Sequence, residues 1–214
     1  MKHLSKLWLA TVMLATPAAA LAESYLISTP HTSMLLEGSP GQTLRFLYYG
    51  SKVESTEVEA IKASNTLPWA DAYPAFGYGY DPDPALTLRQ PDGQMALQMV
   101  MEKAETRTET DSRTTTFTLK DKLLPIYVKL HYKAYTDVDV IEMWTEISHT
   151  LKRPVTLEQY ASAYLLCAPP RRGSHTCTAV GATRAVLHEE SWTTAVKTIL
   201  NRDGMRNSHI SHAR

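Results

Sequence analysis

The sequence predicts an all-β protein, an antiparallel sandwich of two sheets, on three observations. Polar and apolar residues alternate with period two through most of the chain, and short turn-forming clusters interrupt the alternation. No long amphipathic helix can be drawn between them. The alternation holds from residue 23 to residue 164 and fails over the last fifty residues.

The first segment lies outside that pattern. Lys2, His3 and Lys6 give a cationic start, residues 7–20 an apolar run, and Ala20-Leu21-Ala22 a small-x-small cleavage pattern. The run is shorter than the roughly 20 apolar residues that span a bilayer, so a signal peptide over residues 1–22 is expected rather than an anchor. Cleavage after Ala22 leaves residues 23–214 as one domain, secreted or periplasmic and free of the membrane.

Strands are expected at residues 43–49, 85–89, 95–102 and 114–119, separated by Gly38-Ser39-Pro40-Gly41, Gln90-Pro91-Asp92-Gly93 and Asp121-Lys122. The clearest strand spans residues 126–135. Ile126, Val128, Leu130, Tyr132 and Ala134 share one face, and Tyr127, Lys129, His131, Lys133 and Tyr135 the other. Through Thr136-Asp137-Val138-Asp139 it joins a partner strand at residues 141–147, so the two read as an antiparallel hairpin. Arg153-Pro154 then turns the chain into a strand at residues 155–163. Residues 55–84 are less regular and read as a long loop.

Twenty-two basic residues balance twenty-two acidic ones, which leaves no net field to recruit nucleic acid or anionic lipid. Eleven Tyr and four Trp suit stacking on sugars and suit a sandwich surface equally. The long loop concentrates such residues: residues 67–84 mix aromatics, carboxylates, prolines and two glycines, with Trp69, Tyr78, Tyr80 and Asp81 as candidate sugar contacts. Alternatively, Trp69, Tyr73 and Phe76 plug the sandwich edge while the prolines stiffen the crossing.

Several stretches occur in one order: Leu47-Tyr48-Tyr49-Gly50, Tyr73-Pro74-Ala75-Phe76-Gly77 and Pro84-Ala85-Leu86-Thr87-Leu88-Arg89-Gln90-Pro91-Asp92-Gly93. Asp137-Val138-Asp139-Val140-Ile141, Pro154-Val155-Thr156-Leu157-Glu158 with Ser162, and Arg206-Asn207-Ser208-His209 follow. The ordered set resembles the N-terminal domain of glycoside hydrolase family 36 α-galactosidases over residues 25–214. The resemblance implies a β-supersandwich placed ahead of a (β/α)₈ barrel whose two aspartates hydrolyse terminal α-galactosides, and no cofactor. It also implies α-galactoside oligosaccharides as partners, and in the full-length family a homo-oligomer in which this loop borders a neighbour's active site. The family's loop resembles Gly-Thr-Gly-Asp-Phe-Arg, whereas this chain has Gly77-Tyr78-Gly79-Tyr80-Asp81-Pro82.

Retaining hydrolysis needs two carboxyl groups about 5 Å apart. The family's nucleophile lies in a Lys-Trp-Asp setting that this chain lacks, and Asp81 and Asp83, each beside prolines, read as turn residues. No catalytic residue is therefore assigned. The chain is expected to be an inactive N-terminal fragment of an exported α-galactosidase, the alternative being a stand-alone carbohydrate-binding or scaffold sandwich.

At the point of the family that corresponds to the last fifty residues, its pattern resembles Trp-Leu-Thr-His-Leu-Tyr-Gly-x-Trp-Gly-Asn-Glu, where this chain reads Gly173-Ser174-His175-Thr176-Cys177-Thr178-Ala179-Val180-Gly181-Ala182-Thr183-Arg184. Codons read one base earlier are compatible with that motif at all twelve positions, which suggests a frameshifted segment over residues 166–187. Cys167, His175, Cys177 and His188 match no strong zinc spacing, so no metal site is assigned. An oxidising compartment permits a Cys167–Cys177 disulfide without requiring one. Pro169-Pro170-Arg171-Arg172-Gly173 is expected to interrupt a strand. The coding sequence tests the shifted frame: the bases around Gly173 and Gly181 are expected to yield Trp in the neighbouring frame, and codons unable to do so end that reading.

Overall fold

The computed structural model describes residues 22–65, 70–77 and 83–165 in full, and three later strands as backbone. Strands β1 (Glu23–Ser28), β2 (Thr32–Gly38) and β3 (Arg45–Ser51) form an antiparallel sheet in that order. A 3₁₀ turn (Ser55–Glu57) and helix α1 (Val58–Ser64) follow. Then come β4 (Leu86–Arg89), β5 (Met99–Thr108), β6 (Ser112–Asp121), β7 (Ile126–Tyr135), β8 (Ile141–His149) and β9 (Thr156–Tyr160). Strands β5 to β8 make a four-stranded antiparallel sheet in chain order, and β4 pairs with β9.

Alternation dictates the four-stranded sheet. The inward set of β7, from Ile126 to Ala134, is buried, and every β7 residue pairs across to β6 or β8 in an unbroken register. Strand β5 carries an irregularity between Met101 and Lys103, where one residue is left over opposite β6. The tight link from β6 to β7 is held by Asp121. Its buried carboxylate accepts hydrogen bonds from the backbone N–H groups of Gln98 (2.6 Å), Leu123 (3.0 Å) and Leu124 (2.8 Å). Buried polar groups need such compensation.

The inner faces of this sheet and of the three-stranded sheet meet in one core. Ile27, Met34, Leu36 and Phe46 come from one sheet, and Phe117, Leu119, Val128, Leu130 and Tyr132 from the other. Phe117 sits between two tyrosines, its ring edge-to-face with Tyr25 at 4.9 Å and with Tyr132 at 5.7 Å. Such pairs add about 0.5–1.5 kcal/mol beyond the area they bury. Burial pushes the Tyr25 and Tyr132 hydroxyls well above the usual phenol range.

Strand β2 is buried on both faces, and α1 is the reason. Leu35 points away from the main core into a second cluster with Leu47 and Val58, edged by Ile61. Residues 55–84 were expected to be a loop throughout, but 58–64 fold as helix because Val58 and Ile61, three apart, cover that outer face. The turn is capped by Glu54 and Glu57, the Glu54 backbone N–H donating to Glu57 Oε2 at 2.9 Å. Asn65 ends the helix, its side-chain amide donating to the Leu47 carbonyl at 2.8 Å.

Beyond residue 165, β10 (Arg172–Thr178), β11 (Val186–Ser191) and β12 (Ser208–Ala213) form a third antiparallel sheet, ordered β11-β10-β12. Arg172 and Gly173 open β10 rather than interrupting a strand, paired with Ala213 and His212. Ladder hydrogen bonds use the backbone alone, so an unfavourable local composition does not forbid them. Residues 1–21, with the expected leader, lie outside the described residues, as do Cys167, Pro169, Pro170 and Arg171.

A polar clasp joins the two main sheets at one end. Asp139, in the β7–β8 connection, accepts hydrogen bonds from Thr29 Oγ1 (2.9 Å) and the His31 backbone N–H (2.7 Å), and its other oxygen lies 2.8 Å from His31 Nδ1. The His31 hydrogen bonds, with that from Thr29, hold its carboxyl below the usual carboxylate range. A carboxyl lowered by folding stabilises the protein above its unfolded value of about 3.9 and loses that contribution as pH falls through the folded value. Urea unfolding should therefore separate the wild-type chain from Asp139→Asn near neutral pH and bring them together as pH falls through the lowered value of the folded carboxyl.

Candidate functional site

The candidate loop rises from a strap, residues 70–77, stitched to the protein on both sides. Toward β3, the Phe46 N–H donates to the Ala70 carbonyl at 2.6 Å and the Ala72 N–H to Leu44 at 2.8 Å. Toward β4, Pro74 accepts from Ala85 (2.8 Å) and Leu86 (3.2 Å), while the Phe76 N–H donates to Leu86 at 2.9 Å. The Tyr73 hydroxyl donates to the Ala161 carbonyl at 2.8 Å, and burial pushes its pKa up to about 12. A buried phenol keeps such a partner because an unpaired hydroxyl there is costly.

The sequence alternatives therefore divide within the strap. Tyr73 is 3% exposed and plugs the edge, whereas Phe76 is 45% exposed and does not. Gly77 ends the strap with a φ of +110°, and a Cβ placed there would come within 2.7 Å of Ala96 Cβ and 2.9 Å of Ala96 Cα. Only glycine fits that turn without shifting the backbone.

Trp69, Tyr78, Tyr80 and Asp81 themselves lie outside the described residues. Their attachment points do not: Trp69 immediately precedes the strap, and Tyr78 to Asp81 follow directly after Gly77. Both candidate limbs thus leave opposite ends of one eight-residue anchored segment. Loops carried on a rigid scaffold are common binding elements, because the scaffold has already met much of the ordering cost.

Sequence reasoning missed Asp71. This half-buried residue forms an isolated antiparallel backbone bridge with Arg45 on β3, and burial raises its carboxyl above the usual range while the Arg45 charge opposes the rise. Arg45 also donates to Glu37 Oε2 at 3.2 Å, and Lys62 of α1 lies 3.1 Å from both Glu37 and Glu59. Hydrogen bonds to Glu37 and Glu59 hold the Lys62 ammonium above its ordinary pKa. The available signal was the lone outward Arg45 on a strand of apolar residues. Its partner lies 26 positions on, beyond any local pattern.

Beside Tyr73, a shallow recess that it lines with Tyr132, Met143, Thr145 and Tyr164 has a cavity volume of only about 10 Å³. Small-molecule sites begin near 300 Å³, so this recess alone is too small for an oligosaccharide. Among the described residues, no group of three or more His, Cys, Asp and Glu side chains is placed to hold a metal. The described geometry offers an anchored strap, residues 70–77, from whose two ends the chain runs on toward the candidate residues.

Residues 42–179 match the family model described as the glycosyl hydrolase family 36 N-terminal domain. No curated protein matches the chain. Among solved structures, it is similar in fold to the GH36 α-galactosidase AgaA from Geobacillus stearothermophilus, with a TM-score of 0.71 and 14% identity. It is also similar to the α-galactosidase from Lactobacillus brevis (0.66, 14%) and to the galactosidase domain of the α-galactosidase–sucrose kinase AgaSK (0.67, 20%). These alignments cover 85%, 79% and 79% of this chain, but only 30%, 27% and 28% of the matched chains. Strand β3, the strap and the four-stranded sheet fall within the matched residues, while β1 and β2 precede them, and on that match over more than half of its length the chain belongs to the glycosyl hydrolase family 36 N-terminal domain family.

Proposed function

We propose that this chain is a non-catalytic N-terminal module of an α-galactosidase-like glycoside hydrolase, a β-supersandwich that presents the residue 66–82 loop to a sugar site completed elsewhere. The observation that carries this reading is the strap. Residues 70–77 are hydrogen-bonded to β3 on one side and to β4 and Leu97 on the other, so the limbs bearing Trp69 and Tyr78 to Asp81 start from fixed points. The chain spans about 30% of the AgaA chain it matches, which supports a module working beside a larger catalytic part.

The chemistry agrees with a supporting role. Retaining hydrolysis needs a nucleophilic carboxylate and an acid–base carboxyl about 5 Å from it. Asp71 is the strap's half-buried carboxyl, and its close charged neighbour is the Arg45 cation rather than a second acid. Stacking by Trp69, Tyr78 and Tyr80 with hydrogen bonding by Asp81 provides contact with a sugar. The leader pattern of residues 1–22 adds export to the reading, and association of whole subunits would bring this loop to a neighbouring active site.

An assay of the purified chain with p-nitrophenyl α-galactoside tests the role. No release of nitrophenol above the uncatalysed rate is expected. Turnover that co-purifies with the homogeneous chain would overturn the non-catalytic reading, and saturable sugar binding without turnover by the isolated chain would favour a stand-alone binding module.

A further inference from the structure

We infer that the outward face of the four-stranded sheet, centred on Trp144, is a second carbohydrate-binding surface that takes a neutral oligosaccharide. Trp144 of β8 lies directly across from His131 of β7, and their rings stack at 4.5 Å with only 3° between the planes. His131 is itself fixed, its Nδ1 lying 3.0 Å from Thr116 Oγ1 on β6. Its Nε2 lies 3.3 Å from Glu146 Oε1 but makes no hydrogen bond, so the ring is positioned by stacking and by Thr116. The half-buried indole is therefore held in one orientation before any ligand arrives, and pre-ordered groups bind at lower entropic cost.

The groups around the indole match the rim of a sugar. Glu142 and Glu146 lie two residues to either side of Trp144 on the same face, about 7 Å away along the strand. Lys129 pairs with Glu146 at 3.3 Å, and the Tyr135 hydroxyl donates to Glu142 at 3.1 Å. Lys129 and Glu146 are 48% and 53% exposed, so their pairing is weak and readily exchanged for hydroxyl groups. A pyranose laid on Trp144 would place apolar C–H groups on the ring and hydroxyls within reach of these carboxylates and amines.

Other occupants fit less well. Across the face Lys103, Arg107, Lys120, Lys129 and Lys133 stand against Glu105, Glu109, Glu142 and Glu146, so it lacks the large positive excess a nucleic acid needs. Paired lysines and glutamates of this kind are depleted from the centres of protein–protein interfaces, which disfavours a second copy. The inference rests on the preceding reading only in its choice of sugars.

Titration of raffinose and stachyose into the purified chain, followed by calorimetry and by indole N–H resonances, tests it. Trp144→Ala should weaken binding at least about tenfold, while Trp69→Ala leaves most of it intact. Glu146→Gln and Lys129→Gln, both at exposed positions, should weaken binding severalfold with the near-ultraviolet circular dichroism unchanged, which keeps the test valid if Trp144→Ala fails to fold. Absence of saturable binding to the wild-type chain overturns the inference. So does binding lost on Trp69→Ala and indifferent to Trp144, Glu146 and Lys129, an outcome that leaves the loop reading of the preceding subsection standing.

Discussion

The fold depends on one contact line across its middle, the edge-to-face row Tyr25–Phe117–Tyr132 that ties β1 to the four-stranded sheet. Two amphipathic sheets of three and four strands each need a partner for their apolar face. Phe117, fully buried, serves both. It lies on β6, flanked by β5 and β7, while Tyr25 belongs to the outer strand β1 of the smaller sheet. Loss of that ring would remove packing from both layers at once, at a position where neighbouring side chains cannot collapse without moving a strand.

Everything proposed about ligands is a consequence of that rigidity. The strap at residues 70–77 is useful only because β3 and β4, to which it is bonded, are held by the common core through Phe46, Leu86 and Leu88. The Trp144–His131 stack likewise inherits its precision from the unbroken β7–β8 register. Inward residues on these strands close the core, and the residues between them are free to face a ligand. Period two thus divides the labour within a single hairpin.

The same periodicity explains what was legible in the sequence. Strand β7 matches residues 126–135 because one of its faces is apolar and the other polar, and residues 114–119 fall inside β6 for the same reason. Strand β2 was hidden in the continuous run Met34-Leu35-Leu36, since α1 buries its second face and removes the alternation. Helix α1 itself spans seven residues, too few for a helical period to emerge against a loop-like background. The site was legible as composition: aromatics, acids and glycines in one long connection. Its anchoring was not, because Tyr73 to Ala161, Arg45 to Asp71 and His31 to Asp139 are contacts between distant segments. The family resemblance supplied architecture that local pattern could not.

Phe117→Ala, examined by urea unfolding and by residue-resolved amide hydrogen exchange, tests whether the two sheets are one cooperative unit. The account predicts a loss of about 3–5 kcal/mol. It also predicts that the slowest amides of β2 and of β7 lose protection together, by the same free energy. Unchanged protection in β2 alongside a large loss in β7 would contradict it, because the sheets would then be stable independently and the shared core would not be what holds the protein together.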